Sequence, residues 1–110
     1  MKDALYKRKD VERLLEAFLA CATKEDMYAF IRDVMTENEI DEFANRLTAA
    51  IMLSEGKSYD DISEATAMST TTIARVSKWL QQGNDGYKKV ITAIKHHTPQ
   101  EKIVRGGVSS

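Results

Sequence analysis

SYDDISEATAMSTTTIARVSKWL, Ser58 to Leu80, decides the fold of this chain: it reads as two short helices joined by a tight turn. Each half opens on a capping residue. Ser58 stands three residues before Asp61, and Ser69 three before Thr72, so a side-chain oxygen can satisfy orphan N–H groups at both helix starts. Ile62, Met68, Ile73, Val76 and Leu80 form the apolar set. Ser63 and Ala67 are small where the helices approach and the chain turns. The second helix then leaves Ser69, Thr70, Thr71, Ala74, Arg75 and Lys78 exposed. That is the pattern of a helix-turn-helix, whose second helix lies in the DNA major groove. The spacing therefore predicts double-stranded DNA as the partner.

Charge distribution points the same way. The 110 residues carry a formal net charge of −1, unhelpful to DNA binding on its own. Residues 1–55, however, hold 8 Lys/Arg against 12 Asp/Glu, and residues from Ala67 onward hold 7 against 2. Positive charge thus gathers at the second helix and beyond it. With 43% apolar residues and a single Pro, the composition is that of a globular chain with long uninterrupted elements. The lone Cys21, among Leu19, Ala20 and Ala22, reads as a small buried hydrophobe and excludes an internal disulfide. No leader-like start and no apolar run of about 18 residues is present, so a cytoplasmic protein without membrane association is expected.

Outward from the central stretch, apolar periodicity predicts four more helices. Leu5, Val11, Leu14, Leu15, Phe18 and Leu19 mark one over roughly 5–22. Thr23 with Asp26 caps a second, and Thr36 with Glu39 forms a capping box for a third that ends before Gly56. After the helix-turn-helix at 58–82, Asn84-Asp85-Gly86 turns the chain into a sixth helix closed by Thr98-Pro99. The fold class is all-α, with about six helices in one domain over 1–98 and a flexible tail over 99–110. The first, third and sixth helices carry more apolar surface than a helix-turn-helix can cover. Pairing into a homodimer would cover it and set two reading heads about 34 Å apart. A compact monomer, its first two helices folded over the rest, is the alternative.

The residues expected at DNA are Ser69, Thr70, Thr71 and Thr72, whose hydroxyls and methyls suit phosphates, base edges and the thymine methyl. Ala74 lets the backbone approach, and Lys57, Lys78, Lys88 and Lys89 are phosphate candidates. The N-terminal cations Lys2, Lys7, Arg8, Lys9 and Arg13 are interrupted by acids and read as a solvated face. Catalysis is not expected: no nucleophile constellation or glycine-rich phosphate loop occurs. Nor is a metal, since the adjacent His96 and His97 diverge around a helix. The rival function is a protein-interaction module on a helix-turn-helix scaffold, to which Asp60 and Asp61 beside the reading head would lend themselves.

The block Met35 to Leu80, with Thr36 opening the third helix, Arg46 within it, Glu55-Gly56 closing it and Ile73-Ala74-Arg75 in the second helix of the motif, resembles the tryptophan-repressor family and within it the YerC/YecD-like branch. The resemblance implies an intertwined, all-helical homodimer that regulates transcription at a palindromic operator. It also implies an effector pocket: Thr36, Arg46 and Arg75 match positions that line free tryptophan in the tryptophan-binding members. Two departures alter that pocket. Val76 replaces a glycine, and Trp79 replaces a serine that faces the ligand's amino group. Valine adds volume where an indole would lie, and the lost hydroxyl leaves an ammonium short of a partner. Tryptophan is therefore not expected as a co-repressor. Either the pocket is filled from within, or it takes another small effector. Trp79 has a plainer reading too, as a core or dimer-contact ring with Arg75 stacked on it from four residues earlier. Tyr59 and Asp60 replace the family's Gln and guanine-reading Arg, which implies a different operator.

Overall fold

The computed structural model describes residues 3–97, with side chains placed as far as Lys95. The expected tail over 99–110, the Thr98-Pro99 stop, Lys2, and the side chains of His96 and His97 lie outside that description. Every regular element is helical: α1 (Ala4–Lys7), α2 (Lys9–Ala20), α3 (Lys24–Val34), α4 (Glu37–Ser54), α5 (Tyr59–Thr66), α6 (Thr70–Gln82) and α7 (Gly86–His97). None is long and apolar enough to cross a membrane among the described residues.

Among the described residues seven helices stand where about six were expected, because the first is broken. Arg8 is extended, with φ −72° and ψ 137°. Its guanidinium grips Asp10 by two hydrogen bonds of 3.0 and 2.8 Å, while Asp3 caps α1 through the Tyr6 N–H. The run Lys7-Arg8-Lys9-Asp10 offers no apolar stripe to hold one helix in register across that point.

The remaining boundaries follow from local chemistry. Thr23 caps α3 by accepting the Asp26 N–H at 3.0 Å. Thr36 and Glu39 form the reciprocal box, the Glu39 N–H donating to Thr36 Oγ1 (3.1 Å) and the Thr36 N–H to Glu39 Oε1 (2.8 Å). The α4 helix ends in a Schellman arrangement. Gly56, at φ 81°, donates to the Leu53 carbonyl and Lys57 to that of Met52.

The chain divides into two compact units, Met1–Glu42 and Phe43–Ser110. They differ in what they bury. The second holds the core: Ala49, Ala50 and Ile51 of α4, Ile62 of α5, Met68 of the turn, Ile73 and Val76 of α6, and Ile91 of α7. In the first unit no described residue is buried. Phe18 and Phe30 meet edge to face, 5.2 Å between centroids, yet Leu14 and Leu15 stay exposed and Leu19 is 85% exposed. Cys21 is half-buried, its thiol 3.5 Å from the Ala17 carbonyl.

Candidate nucleic-acid interface

The α5–turn–α6 unit is built by side chains as much as by backbone. Ser58 accepts the Asp61 N–H at 3.0 Å and starts α5. At its end Ala67 adopts the left-handed conformation, φ 62° and ψ 17°, and sends its N–H to the Ser63 carbonyl at 2.7 Å. Two hydroxyls then stitch the turn. Thr66 Oγ1 donates to the Ile62 carbonyl (2.7 Å) and accepts the Met68 N–H (3.2 Å), while Ser63 Oγ donates to the Met68 carbonyl (2.8 Å). Thr66 is buried, and its part in the turn was not anticipated, although a β-branched hydroxyl four residues after an apolar anchor is a readable signal. With its polar atoms satisfied, the turn can press Ile62 and Ile73 into the core at full burial.

Ser69 starts α6 by accepting the Thr72 N–H at 3.1 Å, and the two hydroxyls lie 3.0 Å apart. Both are thus engaged in the cap, and Thr72 is half-buried. Thr70 and Thr71 are exposed. So are Ala74, Arg75 and Lys78, which continue from Thr71 along one side of α6, opposite the buried Ile73 and Val76. A surface results that presents hydroxyls at the helix N-terminus, where the peptide dipole favours anions, and cations farther along. Lys57, Lys88 and Lys89 are also exposed.

The residues expected to line an effector pocket have these surroundings. Thr36, in the first unit, is spent on the α4 capping box. Arg75 is exposed on the α6 surface just described. Val76 is wholly buried in the core. Arg46 and Trp79 come together: the Arg46 guanidinium carbon lies 5.3 Å from the indole centroid and 5.5 Å from that of Phe43. Among the described residues the cation over this ring is therefore Arg46, across helices, in place of the neighbouring Arg75. Behind it Tyr87 feels two opposed influences: partial burial pushes its phenol pKa up, and the Arg46 charge draws it down, with burial prevailing. One hollow in the second unit, about 440 Å³ and largely apolar, is lined by Leu47, Trp79, Gly83, Asn84, Gly86, Tyr87 and Val90. It shares only Trp79 with the expected pocket. No group of His, Cys, Asp and Glu able to hold a metal occurs among the described residues.

Comparison with known proteins agrees with this architecture. A family model described as Trp repressor protein matches residues 9–95. The uncharacterized protein YerC of Bacillus subtilis is 39% identical over 87 residues, covering 79% of this chain and 84% of its own length. Among solved structures, a TrpR-like protein from Eubacterium eligens has a TM-score of 0.79 at 37% identity, over 92% of this chain and all of its own. A protein from Staphylococcus aureus, described as a candidate Trp repressor, gives 0.74 at 33% identity, over 93% of this chain and all of its own.

Proposed function

The chain belongs to the Trp repressor family, and from that premise we propose that it is a DNA-binding transcriptional regulator, repressor-like, working in the cytoplasm as a homodimer on a palindromic operator without tryptophan as co-repressor. One observation carries the reading: α6 turns Thr70, Thr71, Ala74, Arg75 and Lys78 to solvent while its other side is locked into the core through Ile73 and Val76. Thr70 and Thr71 meet base edges and the helix-terminal phosphates. Lys57, Lys78, Lys88 and Lys89 supply phosphate contacts that position without specifying sequence. Arg75 joins them, since it lies on the same exposed side.

Two further observations support the finer claims. Helices α2 and α3 expose Leu14, Leu15, Leu19 and Val34, an apolar surface that a second copy would cover. For the effector, Val76 is packed into the core, Arg46 is occupied by Trp79, and Arg75 faces solvent, which leaves an amino-acid ligand few partners.

Selection of bound sequences from random duplex DNA, with and without L-tryptophan, tests all of this together. The expected result is enrichment of a palindrome, equal in both arms. Enrichment only with tryptophan would overturn the effector-free reading, and no enrichment would overturn DNA binding. The second reading, a protein-interaction module, draws on Asp60 and Asp61, both exposed in the first turn of α5. A DNA complex whose affinity does not fall between about 50 and 200 mM salt would favour that module, because counterion release demands a steep loss.

A further inference from the structure

Helix α6 is held on its buried side by Ile73 and Val76, whose apolar contacts are strong and without preferred direction. Such contacts press the first part of the helix onto the core, ahead of Trp79. The Arg46–Trp79 pair is different in kind. It joins α4 to the last turns of α6 through a cation placed over a ring face, with Phe43 a second ring under the same guanidinium at 5.5 Å. A charge over a quadrupole has a preferred geometry, and the half-buried position of Arg46 strengthens the attraction relative to one in open water. Arg46 also sits on α4 one residue before Leu47, which packs against the core, so the cation is carried by a fixed element.

We infer that the Arg46–Trp79 stack clamps α6 against α4 and fixes the rotation at which Thr70, Thr71 and Arg75 face outward, so that the reading surface stands ready for DNA with no effector bound. Trp79 is a positioning residue in this arrangement. It is 42% exposed and follows Arg75 by one helical turn, and its influence on DNA passes through the set of the helix. The inference rests on the DNA-binding reading for its consequence, and on the free protein for its physical content.

A double-mutant cycle separates the two. Trp79→Ala, Arg46→Gln and their combination are compared with the parent, both for affinity to the selected operator and for amide exchange along α6 in the DNA-free protein. Loss of the stack lowers operator affinity by about three- to thirtyfold and speeds α6 exchange in each single variant. The double variant does no worse than the weaker single one, because the pair acts as a unit. Trp79→Phe keeps a ring under the cation and retains most of the affinity, which distinguishes the clamp from bulk at that position. Additive losses, unchanged α6 exchange in Trp79→Ala, or a Trp79→Phe variant as weak as the alanine would each overturn the inference. A parent protein that binds no DNA sinks the functional reading, while the exchange series still decides the clamp.

Discussion

Ala67 turns the chain between α5 and α6 at φ 62°, a region that costs an L-residue with a Cβ roughly 1–2 kcal/mol. Its side chain is exposed, so nothing is lost in packing if it is removed. Ala67→Gly is expected to stabilise the protein by about 0.5–1 kcal/mol, the relief of strain being partly offset by a freer unfolded chain; urea denaturation measures it. That the chain turns at Ala67 was legible from its size and place. That it turns left-handed was not, since alanine gives no sign of it. Tyr87 offers a pH test. Its pKa is raised by burial, so the neutral phenol favours the folded state below about pH 10 and that contribution is lost as pH rises through the folded pKa. Stability should fall more steeply above pH 10 than in Tyr87→Phe, a difference read by denaturation across the alkaline range. Trp79 marks the limit of sequence reading at this scale. Arg75, four residues away, was the visible partner for its ring, whereas the cation that reaches it belongs to α4.

Capping chemistry was the most legible feature at the level of elements, because it is settled within four residues. Thr23, Thr36, Ser58 and Ser69 all cap as their spacing foretold. Thr36→Ala removes one half of the α4 box and should cost about 1 kcal/mol, seen as a lower denaturation midpoint. The break at Arg8 was not legible, because apolar periodicity on both sides looked like one helix. The close of α6 carries a second hidden demand. A Cβ on Gly83 would run into the Trp79 carbonyl, the acceptor of the Gly83 N–H itself. Gly83→Ala is therefore expected to destabilise by about 1–3 kcal/mol, through displacement of the α6–α7 turn. Gly86→Ala, with nothing near its added Cβ, serves as the control in the same melting series.

For the molecule as a whole, charge asymmetry and an uncovered first unit lead to two measurements. Lys78→Ala and Lys89→Ala should each lower the slope of log affinity against log salt by about 1, with little change in the preferred sequence. Replacing Leu14, Leu15 and Leu19 by Lys should yield a 12.4 kDa species in sedimentation equilibrium, where the parent, as the proposed homodimer, is expected at twice that mass. The all-helical class was plain from periodicity. The unequal burial of the two units was not, because periodicity reports that a face is apolar and never what covers it. That inequality reaches beyond architecture. If the proposed homodimer supplies the interior that residues up to Glu42 lack, completing the fold becomes a second-order reaction in chain abundance. In the dilute limit, halving synthesis of the protein then cuts the competent form roughly fourfold. Unpaired copies would keep two open apolar helices within reach of proteases. Gene dosage would thus be converted into a steeper response at the operator, with the N-terminal helices acting as the cell's gauge of how much regulator it holds.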